Sequence, residues 1–279
     1  MKNLNKKTCQ LALMLVLVSL SGHGLTQPIQ LKNQIWDSEV IRSQGRPVIP
    51  LFDGWFPNGD GTRSLCYSYF NMNTEESLTI PTGNDNYLSG YDADGLLPTH
   101  FDPLPIEYRH KFCVFTVTVP EEFGANDKIY WNLTSANEAL KVPGHIKPAY
   151  VLDEPASHGR GDIAPAVRLE PGDEYILGRK GVHSKPLQAE TLEPLRLEAW
   201  VEHEADEVWV GWAKHSGPGK VSFDHLEGVQ PINDGPVGVT VTFDSPGEYV
   251  VRMQTIEDTD AFEFYCCHTN AYFHVNVSN

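Results

Sequence analysis

Beyond its first two dozen residues, the sequence lacks a hydrophobic run long enough to cross a membrane. The apolar run at residues 11–20 follows three lysines and precedes small residues at 21–24. It has about half of the ~20 apolar residues that a spanning helix requires. This order is typical of a secretory signal peptide. We therefore predict that residues 1–24 are removed and that the mature chain is secreted or periplasmic, with no membrane-inserted segment.

Positive charge is scarce as well. The chain has 21 Lys and Arg against 37 Asp and Glu, which gives a net charge of −16, and loss of the three lysines in the predicted signal peptide makes it −19. A chain this acidic repels phosphate backbones and anionic membrane surfaces. We expect no nucleic-acid partner and a preference for neutral or cationic ligands.

Local catalytic motifs are missing. The sequence contains no nucleophile elbow, phosphate-binding loop or Gly-rich dinucleotide-binding turn. His203 and Glu204 begin like a zinc-protease helix, but the second His is absent and we interpret them as part of a charged turn. These absences favour a non-catalytic binding or structural module for polysaccharide or protein. A secreted hydrolase is the alternative, because paired carboxylates in an N-terminal sandwich leave no local motif.

Turn residues, in contrast, are plentiful, with 23 Gly and 20 Pro. They separate short runs in which apolar residues recur with a period of two. In the clearest run Phe115, Val117 and Val119 alternate with threonines, which places one face of a strand on a core and the other in water. The sequence therefore predicts an all-β fold.

The chain length of 279 residues suits two domains. We predict one β-sandwich at residues 28–152 and a second at residues 195–279, where the alternation becomes regular again. Between them, residues 153–194 carry five prolines, several glycines and mixed charges. That composition indicates an extended segment and linker.

A pattern of turns and aromatic residues characterises the C-terminal part. It comprises Trp212, the Gly-Pro turn at 216–219, Thr242, Phe243, the Pro-Gly-Glu-Tyr turn at 246–249 and Asp258. The pattern resembles the PKD type of immunoglobulin-like domain, which implies that fold for the C-terminal sandwich. In such a domain the ring of Tyr249 packs in the core while its hydroxyl reaches the backbone at the corner.

Further motifs extend over the mature chain. They lie at residues 54–58, 69–73, 98–101 and 266–270. Through them the chain is similar to a group of exported bacterial proteins of unassigned function. That resemblance implies export and architecture, and it supplies no activity.

Five cysteines are present, and Cys9 leaves with the predicted signal peptide. Cys66 and Cys113 lie on separate predicted strands of an exported chain, so we favour a disulfide between them. Cys266 and Cys267 are adjacent, and we favour a vicinal bridge in a bent loop. The two other pairings, which would link this loop to Cys66 and Cys113, stay open.

Metal and sugar sites are less clearly indicated. Asp92 and Asp94 precede a Gly as in many calcium loops, and so do Asn58 and Asp60. We interpret both segments as plain turns. Calcium binding at Asp92 and Asp94 is the alternative. The spacing of Cys267, His268 and His274 argues against copper, and we expect no structural zinc or copper. An aromatic set is a candidate sugar platform or core: Trp55, Phe56, Tyr67, Tyr69, Phe70 and Tyr87.

Overall fold

Eighteen β-strands make up most of the regular structure of the described residues. The computed structural model describes residues 42–103, 111–152, 163–257 and 267–279. In chain order the strands are β1 (Val48–Pro57), β2 (Arg63–Asn71), β3 (Leu78–Thr79), β4 (Asn86–Gly90), β5 (His100–Phe101), β6 (Lys111–Val119), β7 (Ile129–Ser135), β8 (Glu138–Gly144), β9 (Ala166–Arg168), β10 (Val182–His183), β11 (Leu187–Glu190), β12 (Leu195–Glu202), β13 (Glu207–Ser216), β14 (Val221–Phe223), β15 (Glu227–Pro231), β16 (Val237–Phe243), β17 (Gly247–Ile256) and β18 (His268–Ser278). One 3-10 turn lies at Pro148–Tyr150. The predicted all-β fold is confirmed.

The N-terminal sandwich is built from β1 to β8. Pairing gives the order β1-β2-β6 in one sheet and β4-β7-β8 in another, and β3 pairs with β5. Tyr67 from the first sheet and Trp131 from the second belong to one buried core. The predicted alternation is confirmed, because Phe115, Val117 and Val119 are fully buried while Thr118 is exposed.

The C-terminal sandwich contains two larger sheets. One has the order β14-β16-β12-β9, and the other has the order β10-β18-β17-β13-β15, with β11 also paired to β18. Inward side chains such as Trp212, Val239, Val251 and Phe273 form a single core. The pairing of β12 with β16, the β13-β17-β18 sheet and the buried Trp on β13 make this an immunoglobulin-like sandwich, as predicted.

The corner at the start of β17 also matches the sequence expectation. The ring of Tyr249 is buried and lies 4.7 Å from that of Phe243, centroid to centroid. Its hydroxyl donates to the Ser245 carbonyl at 2.8 Å and accepts from the Gly219 N–H at 2.9 Å. The side chain thus satisfies two backbone groups that the turns leave outside the sheets.

Three short strands fall within the segment predicted as a linker. β9 pairs antiparallel with β12, while β10 and β11 pair in parallel with β18. Val167 is fully buried in the C-terminal core, and Leu187 and Ala189 pack against it. This part of the segment therefore belongs to the C-terminal sheets, while residues 153–162 lie outside the described residues. The predicted signal peptide lies outside them too.

The disulfide between Cys66 on β2 and Cys113 on β6 is confirmed. Cys113 has a φ of +42° and lies where the register between the two strands shifts. Its N–H donates to the Asp53 carboxylate of β1 at 2.7 Å, so the irregularity leaves no unpaired donor there. Cys267 is also disulfide-bonded. Its predicted partner Cys266 lies outside the described residues, and the vicinal bridge stays a prediction.

The N-terminal sandwich covers the outer face of the β13-β17-β18 sheet, and the two pack as one compact unit. Three backbone carbonyls of the N-terminal sandwich accept hydrogen bonds from that face. Tyr272 Oη donates to the Val114 carbonyl at 2.9 Å, and Asn270 Nδ2 donates to that of Cys113 at 3.0 Å. His215 Nε2 donates to the Leu96 carbonyl at 2.8 Å. The joint is therefore polar and hydrogen-bonded.

No helix in the described part of the chain has the length and apolar character that crossing a bilayer demands.

Candidate functional site

A cavity of about 330 Å³ lies between the two sandwiches. Strand periodicity explains its composition: along β13 and β17 every second side chain enters the C-terminal core, and the intervening side chains face the N-terminal sandwich. The polar and aromatic side chains of the lining are Tyr69, Ser77, Asp102, Lys111, Trp209, Trp212, Glu227, Arg252 and Gln254. The cavity is thus lined by both halves of the molecule.

Arg252 is the most unusual group in this lining. It lies on β17 between Val251 and Met253, which are both fully buried in the C-terminal core. The Arg252 residue itself is only 4% exposed, and its Nη1 atom has no hydrogen-bond partner. A guanidinium carries five N–H donors and a fixed positive charge. Leaving one of these donors buried without a partner opposes folding.

Lys111 adds a second cation to the same cavity. It begins β6, directly opposite Tyr69 of β2. Burial and the neighbouring Arg252 charge lower the pKa of Lys111 from 10.5 to about 8. Arg252 and Lys111 therefore repel each other across the cavity. An anion bound between them would relieve both the repulsion and the missing hydrogen bond.

The indole of Trp209 provides an apolar wall. It lies over Gly211, two residues farther along β13, and a Cβ at position 211 would overlap the six-membered part of the indole ring. Gly211 is therefore required for Trp209 to lie along the sheet. The result is an aromatic surface beside two cations.

Asp102, by contrast, is already paired. Its carboxylate lies 2.9 Å from His100 Nε2 and accepts a hydrogen bond from Ser77 Oγ at 2.9 Å. Burial alone would raise the pKa of Asp102, but these hydrogen bonds outweigh burial and hold the pKa below its ordinary value. Because a carboxylate only accepts, His100 Nε2 carries a proton and Nδ1 faces Thr79 Oγ1 at 3.3 Å.

The residues predicted for calcium lie elsewhere. Asp92 and Asp94 are exposed, while Ala93 between them packs against the N-terminal core. Calcium binding at Asp92 and Asp94 stays a prediction. At Asp60 the plain turn is observed, because its carboxylate accepts hydrogen bonds from the N–H and hydroxyl of Thr62. These two bonds lower the pKa of Asp60.

The candidate aromatic platform does not form. Tyr67 and Tyr69 are buried in the N-terminal core, and Phe56 packs with the Cys66–Cys113 disulfide instead. Tyr87, at 43% exposure, lies on β4. Alternation along the strands sends these rings to different faces, so they form no single exposed surface.

The residues that line the cavity were not singled out from the sequence. Arg252 interrupts the apolar run of β17, and that interruption is the one signal in the sequence that distinguishes it. A strand with Val and Met on one face and Arg and Gln on the other is normally half exposed. Here the second face is covered by another part of the chain, which no local pattern indicates.

Comparisons with known proteins identify no family. No family model matches the chain, and no curated protein matches it. Among solved structures, the D00-D0 domain of intimin matches at 15% identity with a TM-score of 0.27, covering 84% of this chain and 100% of that one. Tandem Ig domains of titin match at 10% identity with a TM-score of 0.23, covering 83% and 98%.

A protein of unknown function from Porphyromonas gingivalis matches at 11% identity with a TM-score of 0.24, covering 82% of this chain and 98% of that one. Similarity at these TM-scores carries no argument about function. The immunoglobulin-like assignment rests on the strand pairing of the chain itself. The PKD type and the similarity to exported bacterial proteins stay predictions.

Proposed function

We propose that the protein is an exported, non-catalytic module that binds a polysaccharide bearing occasional carboxylate groups, and that the cavity between the two sandwiches receives one such group. The observation that carries the proposal is the buried Arg252 Nη1 atom without a hydrogen-bond partner. In the free protein this atom opposes folding, and a bound carboxylate supplies the missing acceptor.

Two cations of the lining can hold an anion. Lys111 and Arg252 are positive, the carboxylate of Asp102 is already engaged by His100 and Ser77, and the second carboxylate of the lining, Glu227, lies at an exposed position. Binding an anion beside Lys111 would raise its pKa from about 8 toward the ordinary value. The ligand should therefore bind with uptake of protons above about pH 8.

The remaining lining favours a sugar as the carrier of that anion. Trp209 offers an aromatic surface, and Gln254 supplies an amide with both donors and an acceptor. The cavity volume of about 330 Å³ is at the small end of ligand sites. It suits one sugar acid unit rather than a long oligosaccharide.

The overall charge restricts the ligand further. The chain carries a net charge of −16, so a densely charged polyanion would be repelled before it reached the cavity. A largely neutral polysaccharide with occasional carboxylates satisfies both the acidic surface and the two cations of the cavity.

Calorimetry with glucuronic acid and glucose tests the proposal directly. We expect the full mature chain to bind glucuronic acid more tightly than glucose. Arg252→Gln should weaken glucuronic acid binding about 10- to 100-fold, since a hydrogen bond to a charged group is worth ~1.5–3 kcal/mol. Arg196→Gln is the matched control, because Arg196 is an exposed strand arginine on β12.

Two results would contradict the sugar assignment. Equal binding of glucose and glucuronic acid would show that the cations do not select the ligand. An acidic peptide that binds more tightly than every sugar acid would assign the cavity to a protein partner instead. Circular dichroism of Arg252→Gln ensures that a loss of binding is not a loss of fold.

Export is the other part of the proposal, and it rests on the sequence of residues 1–24 together with the Cys66–Cys113 disulfide. Mass spectrometry of the mature protein should give an N-terminus near residue 25. An intact Met1 would contradict export through this segment.

A hydrolase is the second candidate, supported by the aligned groups Thr79, His100 and Asp102. The two links, at 3.3 and 2.9 Å, have the order of a nucleophile, a base and an orienting acid. They line a cleft of about 680 Å³. Thr79 and His100 are also directly opposed on β3 and β5, which by itself explains their contact. Ester hydrolysis that is abolished by His100→Gln would favour this candidate. If the unaltered chain hydrolyses no ester, the candidate is eliminated.

A further inference from the structure

Two histidines meet on the outer face of the C-terminal sandwich. β10 pairs in parallel with β18 and places His183 opposite Tyr272. His274 is two residues farther along β18 and therefore lies on the same face as Tyr272. The His183 ring stacks on Tyr272, with centroids 4.7 Å apart, and its Nδ1 atom lies 3.1 Å from His274 Nε2.

The separation of these two nitrogens suits a shared metal ion. At the Zn–N distance of ~2.05 Å, two nitrogens 3.1 Å apart subtend an angle of about 98° at the metal. This angle lies between the right angle of square and octahedral sites and the tetrahedral angle. For angles between 90° and the tetrahedral angle, the two nitrogens would be about 2.9–3.3 Å apart, which includes the observed 3.1 Å. The ring planes differ by 27°, so binding requires the rings to rotate rather than to move apart.

The hydrogen bond between the rings determines which nitrogens face each other. For that bond to form across the 3.1 Å, one of the two facing nitrogens carries a proton and the other accepts. A metal ion that binds both nitrogens takes the place of this proton, which moves to the other nitrogen of its own ring.

We propose that His183 Nδ1 and His274 Nε2 together bind one divalent transition-metal ion, such as Zn²⁺, Cu²⁺ or Ni²⁺. The described residues contain no group of three or more His, Cys, Asp or Glu placed to hold a metal. The ion thus has two protein ligands, and water or a second ligand completes its coordination. This site differs from the Cys267, His268 and His274 set considered from the sequence, because Cys267 is disulfide-bonded.

Calorimetric titration of the full mature chain with ZnCl₂ and with CuCl₂ tests the site. One ion per chain is expected. His183→Gln and His274→Gln should each weaken binding at least tenfold, because either change leaves a single imidazole. His225→Gln is the matched control: His225 is a partly exposed histidine beside Asp224, and its replacement should leave the titration unchanged.

Electron paramagnetic resonance of the Cu²⁺-loaded chain identifies the ligands independently of affinity. Hyperfine coupling to two imidazole nitrogens is expected in the unaltered chain, and coupling to one in each His variant. No ion bound at 1 mM metal, or a titration that neither His183→Gln nor His274→Gln alters, would overturn the proposal. Thermal melts of the variants separate a lost ligand from a lost fold.

Discussion

Replacing Arg252 with Met is expected to stabilise the unliganded protein. Arg252 is 4% exposed, and its Nη1 atom has no partner. A buried donor left unsatisfied costs about 1–3 kcal/mol. Met keeps an unbranched side chain of adaptable shape and has no donor to satisfy. It also removes the positive charge that helps to lower the pKa of Lys111. We expect the free energy of unfolding to rise by about 1–3 kcal/mol near neutral pH.

Urea denaturation measures this change. For a slope of about 2–3 kcal/mol per molar, the midpoint should move upward by about 0.3–1.5 M. Arg196→Met is the control, because Arg196 is half exposed and its contacts with Glu198 and Asp224 are 3.6 and 3.9 Å long. That variant should change stability by less than about 0.5 kcal/mol.

A loss of more than about 1 kcal/mol in Arg252→Met would refute the reasoning. It would mean that the guanidinium is satisfied in the free protein, and the argument for an anion site would fall with it. If the variant is more stable and yet no longer binds glucuronic acid, Arg252 is kept for its ligand at the expense of stability.

Three further changes test the fold. Burial lowers the pKa of Lys111 from 10.5 to about 8, so between pH 8 and 10 the unfolded chain binds a proton that the folded chain lacks. The free energy of unfolding should therefore rise with pH by up to about 1.4 kcal/mol per pH unit, relative to that of Lys111→Met. Parallel pH profiles of the two proteins in urea denaturation would contradict this. Tyr249→Phe loses both hydroxyl hydrogen bonds and should cost about 1–3 kcal/mol in thermal or chemical denaturation, whereas Tyr87→Phe, an exposed control, should be neutral. Replacing both Cys66 and Cys113 by Ala opens a loop with a sequence separation of 47 and should lower the free energy of unfolding by up to about 4 kcal/mol. If the denaturation curve does not change, the disulfide contributes nothing to stability.

The features that the sequence predicted correctly depend on local patterns. The alternation of Phe115, Val117 and Val119 with threonines is a property of one strand, and each strand shows it by itself. The Tyr249 corner likewise depends on a Pro-Gly turn that lies three residues upstream. Cys66 and Cys113 are distant in sequence, but they were the two cysteines on predicted strands of a chain expected to enter an oxidising compartment.

The features that escaped the sequence depend on long-range contacts. β10 has two residues and β11 has four, too few for a period of two to be recognised, and both are fixed by β18, which lies more than 80 residues farther along. The cavity shows the same limit: Lys111 and Arg252 come together only because one sandwich covers the face of the other. The net charge also gave no hint that the cavity contains two cations.

The polar joint between the sandwiches has a consequence for the order in which the protein matures. The carbonyls of Val114 and Cys113 receive their hydrogen bonds from Tyr272 and Asn270, and both donors lie on β18. During synthesis the residues of the N-terminal sandwich are made before these donors, and water must occupy its carbonyls until then. These two hydrogen bonds therefore form only after β18 has emerged, so a chain interrupted before that strand leaves both carbonyls without their partners.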